Sequence, residues 1–155
     1  MDDAEARLQA LIDRFEPAIA QQARACRAKM RARFPTAFEL VYDNYGGLVL
    51  GYGTSDRGSG AVVSFVVYPR FIRLFFLRGV GLPDPDGRLE GEGSQVRSIK
   101  LSNAEVLDEP AILALFDAAE ARTERVWPAA PSPVQIRSVT AKQIPRRPRP
   151  KTLPR

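Results

Sequence analysis

Four carboxylates alternate along Asp84-x-Asp86-x-Arg88-x-Glu90-x-Glu92. A hard cation such as Ca²⁺ or Fe²⁺ is held by several oxygen ligands converging on one point, so Asp84, Asp86, Glu90 and Glu92 are the candidate metal ligands. The run lacks the fixed glycine and terminal bidentate glutamate of an EF-hand, and Arg88 sits in its middle; those are the features of a solvated acidic loop. Directly after it, Gly91-Glu92-Gly93-Ser94 with Arg97 offers backbone N–H groups and a guanidinium to an anion. Against that use, the run leads into a strand rather than opening a helix, and Glu92 repels an anion. Asp43-Asn44-Tyr45 combines two side chains that commonly make local turn bonds with an aromatic alcohol. If residues 79–95 fold over the same end of the sheet, Asp43, Asn44, Tyr45, Asp84, Gly91, Gly93 and Arg97 would form one small-molecule site.

The residue types that are missing narrow the chemistry. The chain has no histidine, and Cys26 is its one cysteine, which excludes within a single chain an internal disulfide, a thiolate metal cluster, a Ser-His or Cys-His hydrolase pair and the usual zinc sites. The expectation is a protein that is not an enzyme and needs no cofactor. Cys26 lies on an apolar stripe with Ala23 and Met30 and reads as a small core residue rather than a reactive thiol.

The net charge of +5 is unevenly placed. Residues 141–155 hold Lys142, Arg146, Arg147, Arg149, Lys151 and Arg155 with no acid, so the other residues net −1. This Pro/Arg-rich segment is expected to be a disordered basic tail on a domain spanning 1–140. Arg146, Arg147, Arg149 and Lys151 would give it a weak, salt-dependent and sequence-blind attachment to nucleic acid. It has no interleaved aromatics for base stacking.

These residues need elements to position them. Leu8, Leu11, Ile12 and Phe15 mark one face of a first helix, and Pro17 opens a second with Ile19, Ala23, Cys26 and Met30 on one stripe, ended by Phe34-Pro35. Arg24, Arg27, Lys29, Arg31 and Arg33 read as its solvated face. Glu39–Tyr42 and Leu48–Tyr52 are predicted strands about a turn. The densest β signal is Ala61–Leu77, two runs of β-branched and aromatic residues around Pro69-Arg70, apolar on both faces and so expected in the interior of a sheet. Residues 79–95 form a long loop, Val96–Leu101 a strand, and Asp108 the N-cap of a helix with Ile112, Leu115, Phe116 and Ala119 inward and Trp127-Pro128 at its end. Val134–Thr140 is a last strand at an edge. The order gives an α+β domain with an antiparallel sheet and helices packed on it. No apolar run approaches the roughly 18 residues of a membrane span, and the acidic start lacks signal-peptide order, so a cytoplasmic protein is expected.

Tyr42-Asp43-Asn44-Tyr45, Phe75-Phe76-Leu77-Arg78-Gly79, Leu82-Pro83-Asp84-Pro85, Leu89-x-Gly91-x-Gly93 and Arg97-x-Ile99 occur in that order. Together with the closing run Ser138-Val139-Thr140-Ala141-Lys142-Gln143 ahead of Arg146-Arg147-Pro148, they resemble the YdhG-like family of bacterial domains of unknown function over roughly residues 8–147. The resemblance implies an α/β sandwich similar to frataxin and CyaY, with terminal helices on one face of an antiparallel sheet. The expected function is a non-catalytic module binding a small ligand or a protein partner through residues 42–46 and 79–97. The alternative is a frataxin-like iron-binding protein using Asp2, Asp3, Glu5, Asp13 and Glu16, and a further one is weak nucleic-acid association through the tail. The oligomeric state is left open.

Overall fold

A computed structural model describes residues 3–148. Two N-terminal helices, α1 (Asp3–Asp13) and α2 (Pro17–Arg33), precede strands β1 (Phe38–Asp43), β2 (Leu48–Gly53), β3 (Ala61–Val67), β4 (Ile72–Phe76) and β5 (Arg97–Leu101). Helix α3 (Pro110–Ala121) and strand β6 (Gln135–Val139) follow, giving one six-stranded sheet in the order β5-β4-β3-β2-β1-β6. The first five strands form an antiparallel meander, and β6 joins the β1 edge in parallel. The fold is therefore α+β with a mostly antiparallel sheet.

Register explains the layering. Val41 faces Leu50, Leu50 faces Phe65, Phe65 faces Leu74 and Leu74 faces Ile99, so one continuous apolar row crosses five strands on a single face. That face meets the helix stripes Leu8/Ile12, Ala23/Cys26/Met30 and Ile112/Leu115/Phe116 in one core. Phe116 holds the α3 end of this core, with Phe34 edge-on at 5.4 Å and Phe76 at 5.7 Å between ring centres. The β3–β4 hairpin lies inside the sheet, as its two-faced apolar pattern requires.

Several boundaries differ from the pattern reading. Asp108 is not the cap of α3: residues 104–108 form a 3₁₀ turn, Glu109 holds the N-cap position without a side-chain cap bond, and Asp108 pairs with Lys29 at 2.6 Å. Helix α3 stops at Ala121, well before Trp127, which instead packs its ring against Phe34 at 5.6 Å. The largest difference is at the C-terminus: residues 141–148, expected in a tail, return to the body of the domain. No helix among the described residues is long and apolar enough to cross a membrane.

Cys26 is fully buried in the core, and burial pushes its thiol up to about 12. The native protein is expected to resist iodoacetamide at pH 8 and to take up one equivalent once unfolded in guanidinium; alkylation at equal rates in both states would contradict this packing.

Candidate functional site

A meander alternates its loops between the two ends of the sheet. The register Asp43–Leu48, Leu48–Val67, Val67–Ile72 and Ile72–Leu101 puts the β1–β2 turn at one end, while Arg97, opposite Phe76, lies at the other. With a strand spacing of about 4.8 Å across four gaps and a rise of about 3.3 Å per residue over the offset from Leu101 to Arg97, Asp43 and Arg97 are separated by roughly 23 Å. The single site drawn from Asp43, Asn44, Tyr45, Asp84, Gly91, Gly93 and Arg97 is therefore split by strand direction.

At the first end, Asp43 alternates in phase with Val41 and so points into the helix-covered face, where it is 1 % exposed. A carboxylate there requires donors, and the C-terminal segment supplies them. Arg146, 3 % exposed, donates Nη2 to Asp43 Oδ1 at 2.8 Å and to the Asn44 carbonyl at 2.6 Å. Its Nη1 reaches the Tyr45 carbonyl at 3.3 Å. Gln143 Nε2 donates to Asp43 Oδ2 at 2.7 Å, and Arg14, in the turn between α1 and α2, adds a contact to the same oxygen at 3.3 Å. Backbone bonds from Thr140 to Asp43 and from Ile144 to Tyr45 complete the strap. Asn44 and Tyr45 thus receive the strap through their carbonyls; the Tyr45 side chain is half exposed, with Lys142 over its ring at 6.0 Å.

This arrangement alters the expected tail. Arg146 is inside the domain, because the buried Asp43 carboxylate outcompetes solvent for its guanidinium, and so it offers nothing to a phosphate. Arg147 is exposed at the surface but spends its guanidinium on the Arg14 and Asp13 carbonyls at 3.2 Å. Arg149 and Lys151 lie outside the described residues, as does Asp2.

At the opposite end the loop is braced by its own polar groups. Asp84 accepts the Arg88 and Leu89 backbone N–H groups at 2.9 and 2.8 Å, four and five residues on, and so closes this part of the loop on itself. Glu90 pairs with Arg73 at 3.5 Å and bridges Ser98 by backbone bonds, while Asp86 and Glu92 point into solvent. Among the described residues no group of three or more His, Cys, Asp or Glu side chains could hold a metal ion. Of the acids compared with frataxin, Glu5 is committed to Arg27 and Asp13 to Arg24. Arg97 donates Nη1 to the Gly93 and Val96 carbonyls at 2.6 and 2.8 Å, so the loop's own oxygens fill the place proposed for an anion. Gly91, at φ +135°, and Gly93 shape that curl rather than a cradle.

The concavity at this end lies elsewhere, between the start of β3, the end of β4 and the end of α3. Its volume is about 190 Å³. Val62 and Ala119 supply its apolar lining, with the fully buried Phe76 beneath. Arg122 makes one wall: its Nη1 donates to the Arg78 and Val80 carbonyls, both at 2.8 Å, which fastens the loop after β4 to the end of α3. Gly81 permits this, since it has φ +84° and a Cβ there would stand 2.9 Å from Arg122 Nη2. Arg78, Arg125, Thr123 and Glu124 line the mouth. Among the described residues neither the Arg78 nor the Arg125 guanidinium has a hydrogen-bond or ion-pair partner. Sequence reasoning did not pick out this pocket; Arg78-Gly79 stood in a quoted motif, but nothing in the pattern joined it to residues 119–125.

A second constellation also went unread. Glu39, in phase with Val41 and Asp43, is 3 % exposed under α2. It takes Arg27 Nε and Nη2, both at 2.9 Å, Arg31 Nη1 at 2.9 Å and the Tyr52 hydroxyl at 2.6 Å. Arg27 continues to Glu5 through two bonds of 2.8 Å. Burial works against the Arg27 charge, but the Glu5 and Glu39 carboxylates outweigh it and hold its pKa above the ordinary value. Tyr52 is held well above its ordinary range by burial and by the Glu39 charge. Every polar atom named here has a protein partner, so the cluster binds α1 and α2 to the sheet rather than presenting groups to a ligand. No family model matches the chain, and no curated protein or solved structure matches it either.

Proposed function

We propose that this chain is a non-catalytic module of the YdhG-like kind that binds a small molecule in the pocket between β3, β4 and the end of α3. The observation that supports this reading is a concavity with an apolar patch at Val62 and Ala119 and two arginines whose guanidiniums have no partner among the described residues. A cavity of about 150 Å³ accepts a benzene-sized molecule, so 190 Å³ suits a ligand of one ring or a short branched chain. Nothing near the floor resembles an acid-base pair: Thr54 and Thr123 are the hydroxyls and Glu124 the one carboxylate at the wall.

A fragment screen by protein-observed NMR tests the proposal. Hits are expected to move the amides of Val62, Phe76 and Thr123, and Thr123→Trp, which fills the mouth, is expected to abolish those shifts while leaving the thermal midpoint within about 2 °C. Hits scattered over other surfaces, or unaffected by Thr123→Trp, would overturn it.

A further inference from the structure

Resting on that reading, we infer that the ligand is a small monocarboxylate with an apolar body of about ten heavy atoms or fewer, its carboxylate held by Arg78 and Arg125 and its body laid over Val62 and Ala119. The charge around the pocket sets the sign of the ligand. Three arginines and one acid, Glu124, line it, and the Arg122 guanidinium is already fixed by two carbonyls. Among the described residues the Arg78 and Arg125 guanidiniums have no partner, and such planar forks match an oxyanion such as a carboxylate in bidentate fashion.

The same surroundings disfavour a dianion. Phosphate sites are built from free backbone N–H groups at a helix N-terminus or a nest of successive amides. Here the helix end is the C-terminus of α3, where the macrodipole is negative. The nearby amides of Gly79 and Val80 are both spent on the Gln95 carbonyl, at 2.6 and 3.1 Å. Glu124 adds a further negative charge at the mouth. The three arginines and Glu124 net +2, so charge alone admits either anion; the lack of free amides around the pocket is what favours a planar carboxylate over a phosphoryl group. The floor sets the body: Val62 is partly exposed there, and Ala119 is small enough to leave the space above it open, while Phe76 lies fully buried beneath.

Calorimetric or NMR titration at low salt with benzoate, benzyl alcohol and phenyl phosphate tests this. Benzoate is expected to bind at least tenfold more tightly than benzyl alcohol and than phenyl phosphate. The tenfold advantage should disappear in the Arg78→Gln, Arg125→Gln double variant and shrink in 0.5 M NaCl. Equal affinity of benzoate and benzyl alcohol, both lost in Thr123→Trp, would overturn the carboxylate assignment and leave the pocket standing as a site. Tighter binding of phenyl phosphate would overturn the monoanion argument alone. Absence of any shift at Val62, Phe76 and Thr123 with all three probes would overturn the inference together with the proposal beneath it.

Discussion

Arg146→Ala lowers the unfolding free energy by about 3–5 kcal/mol, the cost of leaving one member of a buried ion pair without its partner. Urea denaturation at pH 7 reads it as a shift in midpoint. The size follows from burial: the Asp43 and Arg146 side chains are 1 % and 2 % exposed, so water cannot replace the lost donor. It also follows from number, because one guanidinium satisfies Asp43 Oδ1 and the Asn44 and Tyr45 carbonyls at once. Arg14→Ala, which removes a 3.3 Å contact from a side chain 45 % exposed, costs about 1 kcal/mol or less. Arg146→Lys falls between, since a single ammonium cannot reproduce the fork. The combined Asp43→Leu, Arg146→Met variant recovers most of the loss, because exchanging a buried pair for apolar groups of similar volume is often neutral. The buried Arg146 Nε, which has no partner among the described residues, makes that recovery easier still. A change below about 1 kcal/mol for Arg146→Ala would mean that the strap does not close on Asp43 in solution.

The strap also shows where the sequence stops being legible. Ala61–Leu77 announced itself, since a run apolar on both faces has few places to go except the inside of a sheet. Val134–Thr140 was legible as an edge strand, observed as Gln135–Val139, but not its parallel pairing with β1, which depends on the path taken by residues 122–134. Arg146 was read as one of six interchangeable cations because composition gives every residue of a Pro/Arg-rich segment the same weight. The signal lay on the other partner: Glu39, Val41 and Asp43 alternate on one face, and two acids in phase with a buried valine demand cations from elsewhere in the chain. Loop parity was available too. In a meander the first and fourth loops fall at opposite ends, which separates Asp43 from Arg97 before any distance is measured. The pocket had no such signal, because it depends on where α3 ends relative to Arg78, and the pattern carried that helix past Ala121 toward Trp127.

The polar cluster under α2 is expected to respond both to mutation and to acid. Arg27→Ala leaves Glu39 buried with Arg31 and Tyr52 as its remaining donors and releases Glu5, for a loss of about 3–5 kcal/mol at pH 7. Tyr52→Phe removes one hydrogen bond to a buried carboxylate and costs about 1–3 kcal/mol, with the stacking on Phe65 kept. The pH arm rests on Glu5, whose hydrogen bonds from Arg27 hold its carboxyl at about 2 against an ordinary 4.5. A carboxyl depressed in the folded state contributes its full stabilisation above the unfolded value and loses it as pH falls toward the folded one. The window is therefore pH 4.5 down to about 2. Because Glu5 is 40 % exposed, solvent screening keeps its share modest, and the comparison between variants is the informative quantity. Denaturation midpoints measured across that window should fall less steeply in Glu5→Gln than in the wild type, and Arg27→Ala should flatten the slope to the same degree, since either change removes the interaction that sets it. A wild-type slope retained in both variants would place the acid sensitivity in other carboxylates and would mean that the Arg27 fork does not reach Glu5 in solution.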